Sequence, residues 1–305
     1  MAPEQWLTET QRETFTARSN TRALWVVAAN WLLIAAIFAG VAWFNNPLGW
    51  LLGAVLLGGR HMGLAILMHE CGHNTLFAST RLNQWVGQWL CAYPILADCR
   101  AYAESHRVHH RLAGSQDDPD LANYRTYPVP SASLRRKLWR DLSGQTGVRN
   151  LLGQFSGGHS NLMMRSDEGS AGLVRGLVVN AGLFAVLWWA GVGELYLVWV
   201  AGYLIFYPAI ARIRQLAEHG AVINLFDPDP RAHTRSIQAS WWERLLLCPN
   251  RVNYHLEHHF LASVPCYRLP ALHGHLRSAG FYEGYDAALA SGYRAVLKGA
   301  VQAAS

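Results

Sequence analysis

Four long apolar runs constrain the fold of this 305-residue chain more than any other feature. They cover residues 23–44, 48–68, 173–192 and 194–213, and each is close to the roughly 20 residues that a helix needs to cross a bilayer. Composition agrees, because 51% of the residues are hydrophobic and only 15% are charged, against about a quarter charged in ordinary globular domains. The sequence therefore predicts an all-α integral membrane protein with four spans.

Two short turns divide these spans into two predicted transmembrane hairpins. Residues 45–47 and 191–193 form the turns, and neither contains Lys or Arg. The polar leader, residues 1–22, carries Arg12, Arg18 and Arg22, and the long polar loops hold nearly all the other basic residues. Since basic loops stay on the cytoplasmic side, both termini are predicted to be cytoplasmic, in the inner membrane of a cell or its equivalent. The net charge of +6 then indicates loops facing anionic lipid and no nucleic-acid partner.

Several shorter features accompany the spans. Residues 85–99 are apolar but are interrupted by Pro94, which favours a re-entrant or interfacial segment. Residues 134–140 read as a basic amphipathic helix on the membrane surface, or alternatively as a solvated helix. Arg60 and His61 fall inside the second span, where ionisable groups are functional candidates by default; snorkelling near the interface is the alternative, and a metal role for His61 is not expected. The five cysteines are predicted to be reduced thiols.

Histidines are concentrated in three motifs of helical spacing. His106-x-x-His109-His110 and His255-x-x-His258-His259 place three imidazoles at i, i+3 and i+4, and His69 and His73 lie at i and i+4. On a helix these positions share a face, and neutral imidazoles on one face form part of a metal site. The motifs use eight of the 14 histidines, which favours metal binding over scattered surface residues.

His219 is a ninth candidate ligand. It follows the fourth span as His69 and His73 follow the second, and each of these spans is followed later by a His-x-x-His-His motif. The motifs therefore predict a cytoplasmic helical cap that carries a histidine-rich site just outside the bilayer. Nine neutral imidazoles exceed the needs of one ion and suit two borderline metals, although spacing alone does not separate zinc from iron.

Two other classes of function fit part of this pattern. His69-Glu70-Cys71-Gly72-His73 matches the H-E-x-x-H pattern of zinc peptidases, in which the glutamate is the general base. A peptidase would leave both His-x-x-His-His motifs without a role. A metal carrier without catalysis is the other alternative, but it would normally place its ligands along the membrane path.

The spacing, order and position of the three motifs resemble the histidine boxes of the membrane fatty acid desaturase superfamily. The resemblance covers about residues 23–280, as a membrane desaturase-like domain between the leader and a cytoplasmic tail, residues 281–305. It implies two irons, O2 as co-substrate, and His219 as a further ligand. It also implies an external electron donor of the ferredoxin, rubredoxin or cytochrome b5 type, since no fused donor domain is visible. Superfamily members include acyl-lipid desaturases, lipid hydroxylases and carotenoid ketolases.

The expected function is desaturation of a lipid acyl chain, with hydroxylation or ketolation of a lipid, alkyl or carotenoid substrate as the alternative. No catalytic residue separate from the metal ligands is expected. Imidazole ligands need partners on their second nitrogen, and the candidates are Glu70, Asp117, Asp118, Asp120, Glu218, Asn253 and Glu257. Gln215 lies where some superfamily members have an amide near the metal. Trp241, Trp242 and Tyr254 are predicted either to line an acyl channel or simply to pack.

Overall fold

The computed structural model describes residues 2–155 and 170–301. Regular structure in these ranges is helical, apart from one parallel pair of two-residue strands, β1 (Ser236–Ile237) and β2 (Leu289–Ala290). The predicted tail is described as far as residue 301, and the remainder lies outside these ranges. The α-helices are α1 (Glu9–Thr16), α2 (Asn20–Trp43), α3 (Pro47–Gly72), α4 (Thr80–Val86), α5 (Cys99–Leu112), α6 (Ser131–Leu142), α7 (Gln145–Phe155), α8 (Ser170–Trp189), α9 (Tyr196–Ala201), α10 (Tyr207–His219), α11 (Pro230–His233), α12 (Trp241–Leu246), α13 (His255–Phe260), α14 (Leu269–Ser278) and α15 (Tyr293–Gly299).

Four helical segments of the described chain are long and apolar enough to cross a membrane, as predicted. They are Asn20–Trp43, Pro47–Gly72, Gly172–Trp189 and Gly193–His219. The second and fourth end at Gly72 and His219, beyond the predicted ends at 68 and 213, because the helices continue after the apolar run stops. These two extensions carry two of the predicted ligands, His69 and His219, on the last turns of α3 and α10.

α3 is the central helix of the assembly. Its most apolar window is 78% buried, against 28% in Asn20–Trp43 and 22% in Gly172–Trp189. The fourth segment approaches α3 closely: a Cβ placed on Gly202 would lie 3.0 Å from the Ala54 carbonyl oxygen, and one on Gly58 would lie 2.6 Å from the Cβ of Phe206. This segment contains one π-helical turn, Gly202–Phe206, just before the α10 residue Pro208, whose ring removes a backbone donor.

Polar side chains inside the helical core pair with one another. Asn30 donates from Nδ2 to Asn250 Oδ1 at 2.8 Å, and it accepts a hydrogen bond from Arg60 Nη1 at 3.3 Å. Arg60 also donates to the Leu245 carbonyl oxygen. Arg60 and His61 are both buried, so neither snorkels, and His61 packs against Trp199 with ring centroids 4.1 Å apart. Hydrogen bonds of Asn30 thus tie α2 to the loop that precedes the third histidine motif.

Two shorter predicted segments take the expected local form. The run that starts in α4 continues as a π-helical turn (Gly87–Ala92) and a 3-10 turn (Tyr93–Ile95) that contains Pro94 and ends the helical run. It packs against α3 and α8. α6 is helical across residues 134–140, with Leu134 buried and Arg135, Arg136 and Arg140 exposed. Placement of both segments at a membrane surface stays a prediction.

Candidate metal centre

All nine predicted ligands lie at the ends of helices or on short helices that face one another. His69 is on the last turn of α3 and His73 follows directly after it. α5 carries His106, His109 and His110, α10 ends at His219, and α13 carries the three histidines of the last motif. Residues at i, i+3 and i+4 share one face of a helix, so each helix presents its imidazoles on one side, as the sequence predicted.

The imidazoles form two adjacent groups. In the first group, His69, His73, His106, His110 and His258 each offer one nitrogen, and these nitrogens all lie within 4.8 Å of one another. Three pairs of Nε2 atoms are in contact: His69 and His106 at 2.9 Å, His106 and His110 at 3.0 Å, and His110 and His258 at 2.9 Å. Residues far apart in the sequence thus bring their ring nitrogens to one point.

The second group contains His109, His219 and His259, whose nitrogens also lie within 4.8 Å of one another. His255 joins this group through its Nε2 atom, which is 2.9 Å from Nε2 of His219. The rings of His110 and His259 stack with centroids 4.4 Å apart, so the two groups are neighbours. The structure therefore brings all nine histidines together as five and four.

Burial and mutual repulsion keep most of these rings neutral. Desolvation, followed by repulsion from neighbouring histidines, holds the pKa of His106, His258 and His259 well below its usual value. Desolvation, with repulsion from Arg107 and His109, lowers the pKa of His73 to about 4. Neutral imidazoles have a free lone pair for a cation, whereas charged ones do not. The Nε2 atoms of His73 and His259 are buried and lack a hydrogen-bond partner among the described residues.

His109 differs because a carboxylate holds its second nitrogen. Its Nδ1 lies 2.8 Å from Oδ1 of buried Asp118. Burial alone would lower the pKa of His109, but the hydrogen bond and the negative charge of Asp118 raise it. Burial would likewise raise the pKa of Asp118, and the contacts with His109, Tyr124 and the Asp120 N–H lower it. Asp118 therefore remains a carboxylate that orients the His109 ring, as metal-binding histidines require.

Two glutamates approach the Nδ1 atoms of other imidazoles, as Asp118 approaches Nδ1 of His109. Oε1 of Glu70 is 3.4 Å from Nδ1 of His69, while Oε2 of Glu70 accepts hydrogen bonds from Thr75 and the Cys266 N–H. Oε1 of Glu218 is 3.6 Å from Nδ1 of His255 and 2.7 Å from Nε of buried Arg214. These two predicted partners are therefore placed near the second nitrogens of ligand histidines.

Three other predicted partners lie elsewhere. Glu257 accepts hydrogen bonds from Ser236 and Tyr282 and pairs with His273, so it faces away from the nine histidines. Asn253 donates to the Ile237 carbonyl oxygen at 2.9 Å. Gln215 is half-buried, and its side chain makes no hydrogen bond to a described residue. The placement of Glu257 has a simple cause, since neighbours on a helix point apart and Glu257 precedes His258.

Sequence reasoning did not find two residues near the centre. The carbonyl oxygen of buried His233 lies 3.2 Å from Nδ1 of His219, and its own Nδ1 is 2.7 Å from the Asp227 carbonyl oxygen. The Tyr124 hydroxyl donates to Asp118, and the Tyr124 ring stacks on His219 with centroids 4.9 Å apart. His233 has no second histidine three or four residues away in the sequence, and Tyr124 follows a loop. The sequence pattern therefore does not mark either residue as part of a metal site.

This donor set fits two cations better than one zinc ion. A structural or catalytic zinc site takes three or four protein ligands, and the described cluster offers nine nitrogens. The zinc peptidase alternative also needs Glu70 beside a water on the metal. Nε2 of His69 faces His106, whereas Glu70 approaches the opposite nitrogen, Nδ1. A carboxylate in that place orients the ring and does not reach the cluster side of it.

A comparison of the chain with protein families decides its affiliation. The family model described as Fatty acid desaturase matches residues 45–292. The chain belongs to the fatty acid desaturase family. This is a family of oxidoreductases, and the four apolar helices agree with a membrane protein.

Three relatives indicate how the similarity is distributed. Dihydrorhizobitoxine desaturase of Bradyrhizobium elkanii is 27% identical over 263 residues, which cover 80% of this chain and 72% of that protein. The sn-1 acyl-lipid omega-3 desaturase (ferredoxin) of Synechocystis sp. is 32% identical over 111 residues, which cover 35% of this chain and 28% of the relative. The endoplasmic reticulum omega-3 fatty acid desaturase of Vigna radiata var. radiata is 26% identical over 225 residues, 67% of this chain and 57% of the relative.

Proposed function

We propose that this fatty acid desaturase family member is a membrane-bound, O2-dependent acyl-lipid desaturase with two irons. Its ligands are the nine histidines His69, His73, His106, His109, His110, His219, His255, His258 and His259. The observation that carries the proposal is the meeting of neutral ring nitrogens from four separate parts of the chain in one buried cluster. In this family such a cluster supports iron chemistry more directly than zinc hydrolysis.

The first group of five histidines would hold one iron. The other iron would be held by the second group, which is His109, His219, His255 and His259. Bound iron supplies O2 activation with electrons from outside and removal of hydrogen from an unactivated methylene. The chain's own residues position these ligands. Asp118 fixes the His109 ring, and Glu70 and Glu218 lie beside the rings of His69 and His255. Six of the nine rings are buried and three are half-buried, so the protein shields the centre from bulk water, and such shielding protects a reactive centre from side reactions.

The proposed topology has two transmembrane hairpins, with both termini and the metal centre on the cytoplasmic side of an inner membrane or its equivalent. It rests on the absence of Lys and Arg from the two short turns and on the packing of α2 against α3 and of α8 against α9. Residues 1–22 then form the leader, 23–280 the catalytic domain and 281–305 the cytoplasmic tail.

A lipid acyl chain is the proposed substrate because two of the four apolar segments, Pro47–Gly72 and Gly193–His219, carry predicted ligands at their ends and relatives carry acyl-lipid names. An external donor of the ferredoxin, rubredoxin or cytochrome b5 type is proposed, and the name of the Synechocystis relative includes ferredoxin. Desaturation is preferred to hydroxylation or ketolation because the reported relatives are named desaturases.

The decisive experiment combines metal analysis with lipid product analysis. The purified wild-type protein is expected to contain about two irons per chain, and lipid extracts from expressing cells should gain a double bond only when O2 is present. His255→Ala should lose both the product and iron. An alcohol or ketone product would transfer the proposal to the hydroxylase or ketolase alternative, and zinc without an oxidised lipid would refute it.

A further inference from the structure

A polar cavity opens beside the third histidine motif, next to the residues that directly precede α13. It has a volume of about 880 Å³ and lies between α12, α14 and α15. Asn253 and Tyr254, which directly precede His255, form part of its wall. The volume falls within the range of about 300–1,000 Å³ that is typical of small-molecule sites. None of the proposed ligand histidines lines this cavity.

The wall of the cavity carries an excess of unpaired positive charge. Arg244 comes from α12, Arg277 from α14, and Arg294 and Lys298 from α15. All four are exposed, and none forms a salt bridge with a residue that the structure describes. Three helices therefore direct basic side chains into one concavity without neutralising them.

The acidic group in the wall is already satisfied by the protein. Glu243 is buried, and its carboxylate accepts hydrogen bonds from the Ser240 N–H at 2.7 Å and the Tyr293 N–H at 2.9 Å. It therefore does not compete for the basic side chains. Arginine forms charge-assisted, bidentate hydrogen bonds to phosphate oxygens, and lysine binds phosphate as a point charge. The chemistry of the wall thus selects an anion with several oxygens.

Asn253 supplies a second, independent indication of a ligand. The residue is 2% exposed and its Nδ2 donates to the Ile237 carbonyl oxygen, but its Oδ1 is buried without a hydrogen-bond partner among the described residues. An unsatisfied buried acceptor is destabilising unless a donor reaches it. A ligand that fits the cavity should therefore carry an O–H or N–H group beside its anionic oxygens.

The cavity lies next to the helices that span the membrane. α12 packs against α3 so closely that a Cβ on Gly59 would lie 3.1 Å from Cα of Leu246. Trp241 and Trp242 on α12 are 77% and 45% exposed, which is typical of tryptophans at a membrane interface. A lipid held at this place has its head group beside the basic wall and its acyl chain beside the transmembrane helices.

We infer that the cavity between α12, α14 and α15 binds the phosphate ester of the acyl substrate, with Arg277, Arg294 and Lys298 on the phosphate and Asn253 Oδ1 accepting from a neighbouring hydroxyl or N–H. The inference rests on the proposed function, because it assigns the polar end of that substrate. Two sources supply this chemistry: a phospholipid head group such as phosphoglycerol, or the nucleotide and pantetheine portion of a thioester carrier.

Binding is measured on the full chain in detergent, without turnover. Dioleoyl phosphatidylglycerol is titrated in one arm and coenzyme A in the other, and complexes are quantified by native mass spectrometry. Arg277→Gln/Arg294→Gln should weaken the probe that binds by at least about tenfold, or about 1.4 kcal/mol. The control, Arg81→Gln/Arg125→Gln, removes the same charge from exposed residues outside the cavity and should change binding by less than about twofold.

Each outcome bears on the inference. If the cavity variant, but not the control variant, loses phosphatidylglycerol binding, the result supports a lipid head group. If the cavity variant, but not the control variant, loses coenzyme A binding, the result supports a thioester carrier. Equal loss in both variants, or binding of neither probe, overturns the inference. None of these results depends on the double-bond product, so failure here is separate from failure of the proposed function.

Discussion

Asp118→Asn offers the sharpest test of how the second coordination layer supports the metal centre. Oδ1 of Asp118 accepts from Nδ1 of His109 at 2.8 Å and from the Asp120 N–H at 2.9 Å, and Oδ2 accepts from the Tyr124 hydroxyl. The amide retains only one acceptor oxygen and no charge. If its oxygen stays on His109, the amide nitrogen must face Tyr124, whose hydroxyl can rotate to accept.

The size of the effect follows from this geometry. A hydrogen bond to a charged group contributes about 1.5–3 kcal/mol, and a neutral one about 0.5–1.5 kcal/mol. Replacing the first by the second on His109 should therefore cost about 1–1.5 kcal/mol of iron binding, which is an affinity weaker by about 5–13-fold. This lies at the lower end of the roughly 10–100-fold effects that follow substitution of outer partners of metal-binding histidines.

The assay is equilibrium competition between the purified protein and an iron chelator, with iron quantified by mass spectrometry and folding checked by circular dichroism. Asp117→Asn is the matched control, because Asp117 is the exposed neighbour with the same side chain. It should leave iron affinity within about twofold of wild type. The reasoning is refuted if Asp118→Asn also stays within about twofold of wild type, or if both variants weaken iron equally.

The remaining predictions address the ligands, the electron donor and the fold. His109→Ala and His258→Ala should each abolish activity and deplete iron while the protein stays inserted in the membrane; full turnover by either variant would reject that ligand. Turnover with an acidic one-electron donor should fall as salt rises from low ionic strength, because exposed charge attraction is screened, and a rate independent of salt would count against basic-surface docking. Tyr282→Phe removes a buried hydroxyl that donates to Glu257 and should lower stability by about 1–3 kcal/mol with iron content unchanged, as measured by thermal unfolding and metal analysis; iron loss without destabilisation would show that Glu257 acts on the metal ligands.

The sequence alone predicted the four apolar spans of the described chain and the nine histidines that the structure brings together. A transmembrane helix needs a long apolar run, and such a run is visible without any knowledge of packing. Helical spacing likewise placed His106 beside His110 and His255 beside His259, because the distance along a helix is fixed by its 3.6-residue repeat. The C-terminal ends of α3 and α10 could not be predicted from the apolar runs, since both helices continue past the apolar residues.

Only the tertiary structure decided which residues surround the histidines. Among the acidic residues proposed as partners, Asp118 reaches His109 whereas Glu257 turns toward His273 and Tyr282. Sequence adjacency to a ligand did not settle the matter, since Glu70 lies beside its neighbour His69, Glu218 lies beside the distant His255, and the Glu257 carboxylate contacts none of the nine histidines. His233 and Tyr124 come close through loops, whose paths depend on long-range packing. The division of nine histidines into groups of five and four likewise arises from how four helices meet, which no local spacing encodes.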